Sequence, residues 1–301
     1  MMYQSLICTW NVIDDSHKVL LGSCLLIFGV IGLALNLWLF LTLLRSSFLL
    51  TRSYLFLLAL CIINLIKSIF VVPFDSISAL SSRWVFGYGM CQLVAFLRLM
   101  VGIFQMITFT LIAIERLISI IYYKEEKKIE FSFYLTTIII TWVMSTTIAS
   151  LPLAKIGNYI YDTSCTSCEL DWKMKPGSQT GFNISVIVLG GFIPILLIVL
   201  FLTMALSKEC YIMSRKRFEE RLLTKCVAVM IALVFLLYFP RALLIFWIPL
   251  VKARIPKALS IMAPLGTEVA TIIPVLTYLV YLPTLRDALI TLLAKKRRQN
   301  K

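Results

Sequence analysis

The sequence predicts an all-α membrane protein, a bundle of seven spanning helices followed by a short amphipathic eighth. Three observations carry that expectation: an excess of apolar residues, seven apolar runs of spanning length, and a lopsided distribution of Lys and Arg. Of the 301 residues, 60% are hydrophobic and 15% are charged, and the mean hydropathy is +0.93. An ordinary soluble domain is about 45–50% apolar. Lipid is therefore the expected solvent for much of this surface.

The runs fall at 19–44, 53–76, 90–121, 133–153, 182–206, 222–250 and 258–282. A spanning helix needs about 20 mostly apolar residues. In lipid, each backbone polar group must be satisfied inside its own segment, which leaves helices as the expected form. The first run is not a cleavable signal: it is too long, lacks a small-residue cleavage site and leads straight into Arg45 and Arg52. With the N-terminus outside, the inner segments hold 17 Lys and Arg and the outer segments 8, as the positive-inside rule requires. The chain then divides into an extracellular N-terminus (1–18), a seven-span domain (19–282), and an amphipathic helix with a short basic cytoplasmic tail (283–301). A plasma-membrane location is expected. The net charge of +14 follows from the same bias and calls for no nucleic acid. The tail residues Lys295, Lys296, Arg297 and Arg298 suit an anionic lipid surface.

Seven spans alone also fit a transporter or a channel, and particular residues decide. Asn36 lies in the first run. Trp84, Phe86 and Gly87 precede Cys91, which opens the third run, and Glu115-Arg116 closes that run 25 residues later. Trp142 and Pro152 mark the fourth run, Pro194 the fifth, Pro240 the sixth, and Pro274 with Tyr278 the seventh. In this order and spacing the set resembles the rhodopsin-like G-protein-coupled receptors across nearly the whole chain. The second outer loop, from Tyr159 through Asp162, Cys165 and Cys168 to Asp171-Trp172, resembles that of the opsins. The resemblance implies a loop that folds into the bundle as a lid and a disulfide between Cys91 and Cys168. It also puts Asp162 where opsins often keep an acidic counter-ion. Cys165 is extra; it pairs with Cys8 or stays free, and sequence leaves that pairing open.

The departures from the family carry as much information. Opsins hold retinal as an imine on a Lys of the seventh helix, and the run 258–282 has no Lys. Aligning on Tyr278 and Arg286, the preferred register, puts Glu268 at that place; aligning on Pro274 puts Thr267 there. Neither side chain can form an imine, which needs an amine. No cofactor, and no covalently held retinal, is therefore expected. Asn64 stands where the family usually has Asp, which puts a sodium site in doubt, and Tyr238 stands where a Trp is usual.

Ionisable groups at membrane depth are costly and default to function. Lys67, Arg98, Arg241 and Glu268 are such groups, a local sum of three cations and one anion. The structural expectation is a buried ion pair of Glu268 with Arg98 or Lys67. The functional expectation is a small-molecule pocket formed by Lys67, Arg98, Tyr238, Arg241, Glu268 and Asp162, whose surplus cations suit an anionic ligand. Taken together, these features predict a sensory receptor of opsin type, a chemoreceptor for a small anionic or polar ligand. The alternative is a light sensor that holds retinal without a covalent bond.

At the inner face the resemblance implies an ionic lock: Arg116 with Glu115 and with Glu220 at the base of the sixth run, near Tyr278. Its opening would admit a heterotrimeric G protein in a helix-in-groove mode. An enzyme is not expected, since the single His17 lies outside the first helix with no nucleophile partner, and no metal cluster is visible. The broken, pseudo-symmetric halves of a transporter and the polar stripe of a channel are also missing. The acceptor pattern Asn183-Ile-Ser185 lies too close to the membrane edge to be glycosylated.

Overall fold

The computed structural model describes residues 12–45, 52–121, 130–173, 177–210, 218–251, 255–283 and 285–287. The first span is α1 (Asp15–Arg45). The second is α2 (Arg52–Phe70), continued by α3 (Val72–Leu80) after a break at Val71, where Pro73 sits in the first turn of α3. The third is α4 (Gly87–Ile121) and the fourth α5 (Phe131–Ser150). The fifth begins as α6 (Ser178–Ile187), widens at Val188–Phe192 into a π-turn, and resumes as α7 (Ile193–Cys210). The sixth is α8 (Phe218–Leu250). The seventh is α9 (Lys257–Val269) and α10 (Ile273–Tyr281), bent by 47° at the gap between them.

Each interruption has a local cause. Proline has no N–H and crowds the carbonyl four residues back. Pro194 lies just after the π-turn and Pro274 just after the gap in the seventh span. Within that gap Thr271 N bonds the Glu268 carbonyl, one residue short of the helical pattern. The Thr271 carbonyl is taken over by side chains of other spans: Asn36 Nδ2 donates to it at 3.1 Å and Asn64 Nδ2 at 3.4 Å. This is how a broken helix satisfies its backbone at membrane depth.

The second outer loop is a two-stranded antiparallel hairpin, β1 (Tyr159–Tyr161) with β2 (Cys168–Leu170), in the register Tyr159↔Leu170, Ile160↔Glu169 and Tyr161↔Cys168. Cys91 and Cys168 are bonded, S–S 2.07 Å, which ties β2 to the start of α4. Thr163, Ser164, Thr166, Ser167 and Asp171 are all buried, so the loop is a lid inside the bundle. Cys165 is disulfide-bonded as well; Cys8 lies outside the described residues. Asn183 is fully buried, with its amide donating to the Asp171 carbonyl at 2.7 Å, which is incompatible with use as a glycan acceptor.

Two apolar cores stack along the bundle. One, at the inner half, joins Leu39, Leu57, Ile112, Met230 and Val275; the other, under the lid, joins Trp84, Val94, Tyr159 and Trp172. Large apolar side chains such as Ile27 and Val30 of α1 and Leu196 and Val199 of α7 face outward, as a lipid-solvated surface requires. The amphipathic segment and tail lie outside the described residues beyond 287; Leu285, just before, is buried against the inner core.

α8 and α9 approach closely at Gly266, where any Cβ would meet the Leu237 carbonyl. Gly266→Ala should therefore push the two helices apart and lower the melting temperature of the purified protein by several degrees. Gly89→Ala, where a Cβ meets nothing within 4 Å, should leave it unchanged.

Candidate functional site

The outer half of the bundle holds a partly open cavity of about 290 Å³ beneath the lid. Its wall is mainly apolar: Leu99, Ile103 and Met106 from α4, Ile187 and Ile195 from the fifth span, Ile245 and Phe246 from α8, and Leu170 and Trp172 from the lid. The π-turn contributes Gly190 and Gly191, whose missing side chains leave room on that side. The polar exceptions are Lys67, Thr267, Arg98, Arg241, Glu169 and Tyr238. A small-molecule site typically has this form, an apolar hollow with a few placed polar groups.

Every cation of the wall already has a carboxylate. Lys67 Nζ lies 3.0 Å from Glu268 Oε2 and donates to the Thr267 carbonyl at 2.7 Å. Of the two pairings expected for Glu268, the structure has the one with Lys67. Arg98 pairs with Asp75 at 2.6 Å and donates through Nε to the Cys168 carbonyl at 3.1 Å. Ser167 Oγ, 2.5 Å from Arg98 Nη2, donates to the other Asp75 oxygen at 2.7 Å. Arg241 pairs with Glu169 of β2.

The expected balance of three cations and one anion is thus wrong. Asp75 and Glu169 add two carboxylates, and both were missed. A signal for each existed. Asp75 lies eight residues after Lys67, within the second apolar run, where an acid is costly. Glu169 follows Cys168, so the bond to Cys91 brings it down beside the third span.

Of the residues expected in the pocket, Glu268 and Asp162 are not in the wall of this cavity; Glu268 lies behind it, paired with Lys67. Asp162 is in the hairpin of the lid. Its carboxylate instead closes the turn of the hairpin, accepting from Ser164 Oγ at 2.7 and 2.8 Å and from the backbone N–H groups of Thr166 and Ser167 at 3.3 and 3.2 Å. Burial, and then the charge of Glu169, push its pKa up to about 6 against the hydrogen bond from Ser164, with Arg98 pulling down and Asp75 pushing up.

Tyr238 lies at the floor of the cavity and starts a chain of direct side-chain bonds. Its hydroxyl donates to Gln105 Oε1 at 2.7 Å, Gln105 Nε2 donates to Asn64 Oδ1 at 2.7 Å, and Asn64 Nδ2 donates to Asn36 Oδ1 at 3.1 Å. Asn36 and Asn64 then reach the Thr271 carbonyl at the seventh-span gap. Amide groups occupy the place where a sodium site was in doubt.

At the inner face Arg116 is held by its neighbour: Nε lies 2.6 Å from Glu115 Oε2 and Nη2 2.5 Å from Oε1, with Ser119 Oγ donating to Oε1 at 3.0 Å. Tyr278 is buried close by, its ring 6.4 Å from that of Tyr54. Glu220 lies on α8, and its side chain is outside the described ones.

Residues 35–282 match the family described as "7 transmembrane receptor (rhodopsin family)". The chain belongs to that family. The receptor is 20% identical over 291 residues to the human "Visual pigment-like receptor peropsin", covering 94% of this chain and 86% of that one. It is 27% identical over 205 residues to "Rhodopsin, G0-coupled" of Mizuhopecten yessoensis, 68% of this chain and 51% of the relative. The crystal structure of squid rhodopsin superposes with a TM-score of 0.84 at 20% identity, over 95% of this chain and 89% of that one, a likeness of fold. The receptor is a G-protein-coupled receptor of opsin-like type and not an enzyme.

For retinal, the group that the resemblance to opsins implies, the apolar cavity suits the hydrocarbon body. The seventh-span side chain at the expected attachment place is an acid or a hydroxyl in either register. The amine in the wall is Lys67, from the second span.

Removing one partner of a buried ion pair costs about 3–5 kcal/mol. Lys67→Ala and Glu268→Ala should each destabilise the receptor on that scale, and Lys67→Glu with Glu268→Lys together should recover much of the loss in melting temperature. Pairing Arg98→Glu with Glu268→Lys should recover nothing. Asp162 gives a second test. Its folded pKa of about 6 exceeds the ordinary 3.8, so the stability it contributes is full below about 3.8 and is lost as pH rises through 6. Relative to Asp162→Asn, the wild type should lose stability between pH 4 and 7 in denaturation at stepped pH.

Proposed function

We propose that this receptor is a chemoreceptor: a small, largely apolar ligand occupies the cavity under the lid, and its binding is passed to a heterotrimeric G protein at Arg116. The observation that carries the reading is an apolar cavity whose three cations are all matched by carboxylates. An anionic ligand would have to displace Glu268, Asp75 or Glu169 from a buried pair, and would bring its own desolvation cost. The expectation of an anionic ligand therefore gives way to a neutral one. No covalent attachment to the seventh span is proposed.

The relative named "Rhodopsin, G0-coupled" supports G-protein coupling, as does the Glu115–Arg116 pair at the inner end of α4. The bias of Lys and Arg supports an extracellular N-terminus in the plasma membrane. Basic residues after Ala294 suit contact with anionic lipid. A second reading, a light sensor that takes up retinal, draws on the opsin names of the relatives.

The test is thermal stabilisation of the purified receptor in lipid nanodiscs, with a panel of neutral apolar compounds and the carboxylates of the same carbon skeletons. Neutral members should raise the melting temperature and carboxylates should not; the reverse order would sink the neutral-ligand reading. A stabilising compound should also drive nucleotide exchange on a G protein. Arg116→Ala should abolish that exchange while leaving the stabilisation in place. An absorption spectrum with 11-cis and all-trans retinal separates the second reading.

A further inference from the structure

We propose that the turn of the lid is a proton switch: a proton taken from the outer solution onto Asp162 seats the turn in the bundle, and its loss loosens the turn above the cavity. The proposal goes beyond the reading of the cavity as a ligand site and does not depend on what fills it.

A second, much smaller chamber lies between the hairpin turn and the bundle. Its volume of about 20 Å³ gives room for a water molecule and nothing larger. Asp75, Asp162 and Glu169 line it against two guanidinium groups, those of Arg98 and Arg241. Arg98 is matched by Asp75 and Arg241 by Glu169. Asp162 is the odd acid. Among the described residues it has no ion pair, and its partners are Ser164 Oγ and the N–H groups of Thr166 and Ser167, all in its own turn.

The other faces of the chamber bring it no base. α1 contributes Leu21 and Leu25, and α9 contributes Pro264. Lys18 of α1, one turn nearer the N-terminus, is engaged with Asp15 and the Ser82 carbonyl. His17 is half-exposed beside Asp14. Among the described residues no three acids converge as a metal site. The species that removes one negative charge from so small a space is a proton.

Ionised, Asp162 leaves the chamber with one negative charge in excess. Burial first, and then repulsion by Glu169, raise its pKa from 3.8 to about 6 against the hydrogen bond from Ser164. Turned out into water, the same carboxyl regains its ordinary affinity for the proton. The seated turn therefore binds the proton more tightly than the loosened one, and by linkage the proton favours the seated turn. That support is full below 3.8 and is lost as pH rises through 6. The two affinities differ about a hundredfold, so full ionisation moves the equilibrium between seated and loosened turn by the same factor.

The turn is the part of the lid that can respond. The bond of Cys168 to Cys91 pins β2. From Asp162 to Ser167 the chain is held mainly by polar contacts, among them Thr163 Oγ1 to Ser260 Oγ at 3.1 Å and Val12 N to the Thr163 carbonyl at 3.2 Å. Cys165 is disulfide-bonded, so the response is a local opening and not release of the lid. Arg98, Glu169 and Arg241 line the chamber and the ligand cavity alike. They form the partition between the two, and a charge gained or lost at Asp162 acts directly on the cavity wall.

The experiment is hydrogen–deuterium exchange of the full receptor in maltoside micelles from pH 4 to 8. Peptides from the hairpin (159–170) and from the inner end of the seventh span (273–281) are followed, and each rate is divided by that of Asp162→Asn at the same pH. The ratio removes the intrinsic pH dependence of exchange, and Asn keeps the oxygen that accepts from Thr166 and Ser167. In the hairpin the ratio should be lowest at pH 4, climb through pH 5 and level off above 6, up to about a hundredfold higher. In 273–281 it should stay flat. Ser164→Ala removes the hydrogen bond that favours the charged form and should move the levelling-off to higher pH; His17→Ala should leave the profile in place. A flat ratio in the hairpin overturns the proposal, and so does an equal rise in 273–281, which would make the effect one of global stability. Should Asp162→Asn fail to fold, wild type against Ser164→Ala still decides: their hairpin rates must part above pH 6, and parallel profiles overturn the proposal.

Discussion

A carbonyl at membrane depth has no water to turn to, and in this receptor the seventh span breaks where that constraint is hardest. Pro274 and the turn before it leave the Thr271 and Thr267 carbonyls outside the regular helical pattern. Asn36 and Asn64 reach across from the first two spans to one of them, and Lys67 reaches from the second span to the other. The three spans are therefore bound by backbone need as much as by packing. The polar residues that meet the need are also those that border the cavity or lead away from it. Ligand site and structural repair occupy the same few ångströms.

The same constraint orders the charges. A lone ammonium or guanidinium in the bundle would be costly, and each of Lys67, Arg98 and Arg241 is brought against an acid from a different element: Glu268 from α9, Asp75 from α3, Glu169 from β2. These pairs add little net stability, because desolvation offsets the attraction. Their effect is on geometry. Arg98 is joined to the second span and the lid at once, through Asp75, Ser167 and the Cys168 carbonyl. The lid is thus held by charge as well as by the Cys91–Cys168 bond, and the roof of the cavity is fixed relative to its walls.

Much of the fold was legible in the chain. The seven spans follow from features that act locally, whereas the disulfide, the buried lid and the role of the Glu115–Arg116 pair were what the resemblance to the receptor family implied. Lipid forces helices on long apolar runs, and the prolines mark where they break. The site was legible only in part. Lys67, Arg98, Arg241, Tyr238 and Glu268 stood out as polar groups in apolar runs. Asp75 and Glu169 did not, because one sits near a helix end and the other in a loop, where acids are unremarkable. Gln105 was overlooked as a neutral amide, although it is the link between Tyr238 and Asn64.

By itself the sequence determined a multi-span helical receptor with no lysine between residues 258 and 282, because hydropathy, proline positions and residue identity are properties of the chain alone. Only the tertiary structure decided which acid meets which base, and hence the charge of the cavity. Those pairings depend on how spans far apart in sequence rotate against one another and on where the disulfide draws the lid. Three unpaired cations would invite an anion; three neutralised ones leave an apolar hollow with a single buried amine in its wall. That difference rests on a few side-chain contacts between distant segments, which no local pattern encodes.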